Sequence, residues 1–273
     1  MRSRTPVLLL APGLILLLAG FLIPSLAMLF SPPGVAPAEI LVRFGEMLSD
    51  PYDLRIIGRT VGIGLVVTLI CVVLGFPIAY LLARSTSRWS GVLLALAIFP
   101  LLLSNVVRTF GWLVILGANG AVGQLLTGLG LVEKAPQLLY TELAIVLGLT
   151  QLFLPLAIIS CYSAVAQVDP GLDDAARGLG ASRTRTFWTV VIPLSSPGIV
   201  VAATLVFAGS VTAYTTPYLL GGSSQRMLST QLFSYSSVTI DWASASATAL
   251  IMTLLVFLVS GLSSLVARKG AIA

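Results

Sequence analysis

The chain contains no histidine, and that absence removes whole classes of chemistry. Serine–histidine and cysteine–histidine nucleophilic catalysis need an imidazole base, and His-based zinc sites need imidazole ligands. Charge is scarce as well: 9% of residues are charged, against roughly 25% in an average soluble domain. Cysteine is limited to Cys71 and Cys161, both inside apolar runs and without metal-ligand spacing. We expect two reduced, buried, small apolar residues there, with neither a disulfide nor a metal site. The sequence has no Gly-x-x-x-x-Gly-Lys-[Ser/Thr] loop, so the chain lacks that cradle for ATP phosphates. No basic cluster is interleaved with aromatics, which argues against a nucleic-acid surface. No carboxylate sits in the middle of an apolar run, where ion-coupled carriers place titratable groups.

What is present is apolar sequence. Hydrophobic residues make up 57% of the chain, the composition of an integral membrane protein. A helix needs about 20 apolar residues to cross the bilayer core. Six runs qualify, at 7–30, 59–83, 91–116, 141–165, 196–220 and 244–267, which predicts one polytopic membrane domain over 1–273. The first run follows Met-Arg-Ser-Arg but is far longer than a signal-peptide core of about 7–15 residues, so it reads as an uncleaved span. Arg2, Arg4, Arg84, Arg88, Arg177, Arg183, Arg185, Arg268 and Lys269 alternate in position with Glu39, Glu46, Asp50, Asp53, Glu133, Glu142 and Asp241. The net charge of +5 therefore reports topology: the basic side is cytoplasmic and carries both termini. Among the opposite connections, Ile40 to Leu48 reads as a surface helix. Residues 117–140 are glycine-rich and either re-enter the membrane or lie along it, and Gly221 to Ser224 is a turn.

The longest polar interruption, Asp169 to Pro197, has a readable internal design. Asp169 followed by Pro170 is an N-cap followed by proline at the first helical position. Leu172, Ala175, Ala176 and Leu179 recur with helical spacing as one apolar stripe. Gly180 stands where such a helix needs a left-handed residue to stop. Ser182 is placed to cap a second helix, whose Phe187, Trp188, Val191 and Ile192 share a face before Pro193 ends it.

Asp174-Ala175-Ala176, then Gly180, then Val190-x-Ile192-Pro193 resembles the EAA loop of permease subunits in binding-protein-dependent ABC importers. Asp174 replaces the usual Glu, and Val190 and Ile192 replace Ile and Leu. Gly75 to Arg84 looks like the second core span of this class. Arg108 to Trp112, Leu116-Gly117, Asn119-Gly120, Ala208 to Gly222 and Asp241-Trp242 are similar to the spermidine/putrescine-type branch.

The resemblance implies an all-α membrane protein with six transmembrane helices, a MetI-like type I importer fold, and a cytoplasmic coupling helix within 169–193. It implies a role for Asp174, Ala175, Ala176, Gly180 and Pro193 in coupling to a cytoplasmic ABC ATPase dimer. ATP and Mg would be bound by that dimer, with no cofactor held by this chain. A second permease subunit (a related chain in preference to a second copy), an extracytoplasmic solute-binding protein and a bacterial inner-membrane location complete the expectation. Polyamine is the first substrate guess.

Two polar groups are candidates for the solute pathway. Arg108 lies in the outer half of the third run, with Asn105 one turn before it and Trp112 one turn after. An intramembrane arginine is costly, by about 2.5–3.5 kcal/mol on insertion scales, so it faces a polar route or snorkels to the headgroups with Trp112 as an anchor. In the fifth run Tyr214, Thr215 and Tyr218 cluster with Thr212 and Thr216 around Pro217. They suit contact with a passing solute, or an interfacial belt with interhelical hydrogen bonds. The alternative to an importer permease is an ATP-independent channel or secondary carrier. A membrane enzyme is disfavoured by the missing histidine, and an exporter domain by the shortness of every connection.

Overall fold

The structure is a computed structural model that describes residues 12–270, with side chains to Ser264. Arg2, Arg4, the start of the first expected run and the side chains of Arg268 and Lys269 lie outside the described residues. Among the described residues the regular structure is entirely helical. Six helical stretches are long and apolar enough to cross a membrane. The first is α1 (Pro12–Phe30) and the second α3 (Pro51–Ala83), separated by the short helix α2 (Pro37–Met47). The third is Asn105–Gly128, in which α5 (Asn105–Leu116) is followed after a turn by α6 (Ala121–Gly128). The fourth is α7 (Glu142–Ala166), which leads into the nine-residue α8 (Pro170–Gly178). The fifth is α9 (Arg183–Thr212), followed by α10 (Thr215–Gly221) and α11 (Leu228–Phe233). The sixth lies in α12 (Trp242–Gly270).

Two expected runs are built differently. The run at 91–116 is not one helix. A separate α4 (Ser90–Ile98) tightens into a 3-10 turn at Phe99–Leu102, and Leu103 and Ser104 are extended before α5 begins. Pro100 cannot donate to a preceding carbonyl, and the helix gives way around it. The fifth span starts at Arg183 and ends at Thr212, with a bend at Ala213 separating α10.

The chain divides into two compact units, Met1–Arg55 with Gln231–Thr253, and Ile56–Thr230 with Leu254–Ala273. In the first, Ile40 and Met47 of α2 are buried. The buried Asp53 accepts from Gln231 Nε2 at 2.6 Å, and Ser246 donates to the Met28 carbonyl at 2.8 Å. Every described side chain of α1 from Leu14 to Leu26 is exposed, as befits an apolar helix whose solvent is lipid.

In the second unit Val67 and Cys71 of α3, Ile145 and Leu149 of α7 and Val206 of α9 form one buried cluster. Phe76, Ala79, Cys161, Val165, Val191 and Ala202 form another nearer α8. Both cysteines are free and buried. Helix association in lipid rests on close packing more than on solvent exclusion. Gly198 shows this: a Cβ there would collide with Ala164, so only glycine lets α9 approach α7 so closely.

Candidate functional site

Helix α8 is short, so its stability depends on its ends. At the start, the Asp169 carboxylate accepts from the Gly171 amide at 2.8 Å, and Pro170 supplies the first helical position. Asp173 in the first turn and Arg177 in the last complement the helix dipole. At the far end Gly180 has φ +90°, its amide donates to Arg177 O at 2.9 Å, and the Ala181 amide donates to Ala176 O at 3.1 Å. Those two bonds constitute a Schellman closure, which needs the left-handed residue that glycine provides. The next helix is capped as the sequence suggests, with Ser182 Oγ accepting from the Arg185 amide at 3.2 Å.

The apolar stripe of α8 faces out of the chain. Leu172 is 44% exposed and Leu179 91% exposed. Asp174 and Ala175 are exposed beside them, while Ala176 is half-buried. The capped helix thus turns both leucines into open space. What fixes it from behind is Arg84, at the end of α3. Its Nε donates to Asp173 Oδ2 at 2.9 Å and its Nη1 to Val168 O at 3.0 Å. The sequence marks Arg84 as a basic residue at the end of a span but gives no sign of its pairing with Asp173, 89 residues away; an acidic residue in the first turn of α8 is the one local hint.

Pro193 does not end the second helix. The chain stays helical through it, passing from Arg183–Thr186 by a π turn at Phe187–Val191 into Ile192–Thr212. A π turn already displaces the regular backbone bonding, and a proline just after it sits in the first turn of the resumed α-helix, where its missing N–H matters least. Phe187 packs on Phe76 and Tyr80 of α3, with ring centroids 5.6 and 5.0 Å away. The base of α9 is thereby seated on α3. Between these elements lies a groove of about 960 Å³, lined in part by Arg84, Asp174, Arg177, Arg183 and Trp188.

The pathway candidates on α5 are engaged in helix-to-helix bonds. Trp112 Nε1 donates to Gln151 Oε1 on α7, so the indole is not free to anchor at a membrane surface. Thr216 of α10 donates to Asn105 Oδ1 at 3.5 Å, and Thr109 and Thr216 hydroxyls meet at 3.4 Å. Arg108 Nη1 donates to Pro100 O at 2.9 Å, at the break before α5. The intramembrane arginine thus satisfies a carbonyl where the helix opens, which is how irregular backbone survives in a bilayer. Its Nε is enclosed without a partner. On α10 and the residue before it, Tyr214 and Tyr218 stack with centroids 5.1 Å apart, and Thr215 between them is half-buried. Asn105 is therefore brought to the α10 start, while Arg108 and Trp112 bond elsewhere. Gln151, a lone amide inside a 25-residue apolar helix, had a signal in the sequence that spacing arguments pass over.

Six apolar helices long enough to cross a membrane, with the capped α8 held against the end of α3, make this a polytopic membrane protein. The sequence profile of the family described as the binding-protein-dependent transport system inner membrane component matches residues 75–270, and the chain belongs to that family. It is 29% identical over 226 residues to the spermidine/putrescine transport system permease protein PotB of Haemophilus influenzae, covering 81% of this chain and 79% of that one. It is 33% identical over 211 residues to the molybdenum transport system permease protein ModB of Azotobacter vinelandii, covering 76% and 91%. Among solved structures, a chain of a bacterial alginate ABC transporter superposes with TM-score 0.76 at 15% identity, covering 99% and 96%. A chain of the inward-facing methionine transporter MetNI gives 0.60 at 18%, covering 80% and 95%. The fold is that of type I ABC importer permeases, and the chain is a permease component, not an enzyme.

Proposed function

We propose that this permease is driven by a separate cytoplasmic ATPase dimer that seats α8 in a surface cleft. The observation that carries this reading is Leu179, 91% exposed at the end of a helix fixed at both termini. A rigid helix transmits displacement, and an outward apolar stripe needs a partner. Asp174, Ala175 and Ala176 form the docking turn, Gly180 closes it, and Pro193 sits where the resumed helix tolerates it. ATP and Mg belong to the ATPase, and this chain holds no cofactor. Residues 1–273 act as one permease domain in the bacterial inner membrane. Both termini and α8 are cytoplasmic, in keeping with Arg84, Arg177 and Arg183 converging on one groove. A second, related permease subunit completes the pathway, and an extracytoplasmic binding protein delivers the solute.

For the solute, polyamine has the support of the PotB relative and of the stacked Tyr214 and Tyr218, whose faces suit ammonium groups. Asn105, Thr215 and the Arg108–Trp112 turn would border the same route. A second reading, an anionic solute, is favoured by the ModB relative and by the fixed positive charge of Arg108. The test is uptake of labelled spermidine, putrescine and molybdate by cells that express the complete system. Spermidine or putrescine uptake that needs the chain supports the first reading; uptake of molybdate alone rejects it.

A further inference from the structure

Helix α8 is gripped by Arg84 in an unfinished way. Arg84 and Asp173 are each 15% exposed and share one bond, Nε to Oδ2 at 2.9 Å. Arg84 Nη2 and Asp173 Oδ1 are both enclosed, and neither has a hydrogen-bond partner. A donor and an acceptor left over on the same two side chains, at the wall of the groove, favour any rearrangement that pairs them directly. They are also the two halves of a second bond. Guanidinium and carboxylate prefer the two-bonded fork, and a small rotation or slide of α8 against the end of α3 would complete it. The groove of about 960 Å³ lined by both residues leaves room for that movement. Arg84 also holds Val168 O, in the connection between α7 and α8, so the shift would pull on that connection too.

We propose that Arg84 and Asp173 are positioning residues that make α3 follow α8, alternating between the one-bonded pair seen here and a two-bonded pair when the ATPase closes. The inference rests on reading α8 as the ATPase-docking helix. Its lever is α3 itself, a single helix of 33 residues running from this pair across the membrane. Two discrete hydrogen-bonded arrangements of one pair are the kind of bistable contact that turns a small displacement into a change of state.

The test needs no knowledge of the solute. The chain is purified with its ATPase from native membrane, carrying Thr212→Cys as a reporter at the far, exposed end of α9. Cys71 and Cys161 are fully buried and should stay silent. Labelling by a membrane-impermeant maleimide is compared without nucleotide and after ATP–vanadate trapping. With the native pair the labelling rate should change by about 5-fold or more, the lower end of typical coupling. In Arg84→Ala, Arg84→Lys and Asp173→Asn the change should fall below about 2-fold while the ATPase still copurifies, and the exchange Arg84→Asp with Asp173→Arg should restore much of it. Lysine keeps the charge and lacks the fork, so it separates the pair's geometry from mere charge and from misfolding. Full nucleotide response in Arg84→Lys and Asp173→Asn, with ATPase bound, overturns the inference alone. Absence of any ATPase from the native-pair preparation overturns the docking reading and this inference with it.

Discussion

The indole N–H of Trp112 donates to the amide oxygen of Gln151, joining α5 to α7 well inside both helices. The bond satisfies two polar groups that the apolar surroundings would otherwise leave bare. Interhelical hydrogen bonds in membranes average about 0.6 kcal/mol and reach about 1.7, so this one orients α5 more than it holds the molecule together. Gln151→Leu should lower stability by about 1 kcal/mol or less, read as a small fall in the detergent unfolding midpoint. Trp112→Ala, which also removes packing against Leu116, Ala144 and Leu220, should cost more. Equal effects of the two would show that the hydrogen bond dominates.

Gly180 supplies φ +90° with open space around its missing side chain. Backbone strain is therefore the whole effect of a substitution. Gly180→Val should cost about 1–2 kcal/mol and reduce recovery of the ATPase or uptake, whereas Gly180→Asn should be tolerated because asparagine enters the left-handed region readily. A valine variant that binds the ATPase and transports as the unmodified chain does would remove Gly180 from the docking role.

Leu179 makes almost no contact within its own chain, so Leu179→Asp should leave the unfolding midpoint unchanged. If α8 docks through this stripe, a charge there should cut ATPase recovery by about 10-fold, the loss of roughly 1.4 kcal/mol. Loss of stability without loss of ATPase would mean that the leucine faces the chain's own interior.

These end-caps are legible in the sequence because caps are local: Asp169, Gly180 and Ser182 each act within four residues of themselves. The six apolar runs are legible for a similar reason, since length and composition decide them. The break at Leu103 is signalled by Pro100 and Ser104-Asn105 but outweighed by the length of the apolar run around them, and Pro193 misleads because a π turn before it absorbs the missing donor. The Arg84–Asp173 and Trp112–Gln151 contacts join distant segments, and no spacing rule pairs them. For Arg108, the sequence poses the right question about an intramembrane charge, and only the fold shows the carbonyl of Pro100 that answers part of it.

Asp241, just before α12, offers a pH test. Burial works against its charge, but the Ser244 hydroxyl at 2.6 Å and amide at 3.0 Å, the nearby Arg43 and the Ala243 amide outweigh it. Its carboxyl is held below the usual carboxylate range. A carboxyl lowered on folding contributes stability above its unfolded pKa of about 3.9, and the contribution disappears as pH falls through the lower folded value. Unfolding midpoints should therefore drop on the acid side of that range, and less so in Asp241→Asn. Parallel acid profiles for the two chains would count against this pair of contacts.

Coupling of this permease to an ATPase through α8 is tested by recovering the chain from its native membrane in mild detergent and identifying its companions by mass. Recovery of a P-loop ATPase together with a second permease is the predicted result. A chain that purifies alone, and still moves solute after reconstitution without ATP, would contradict it.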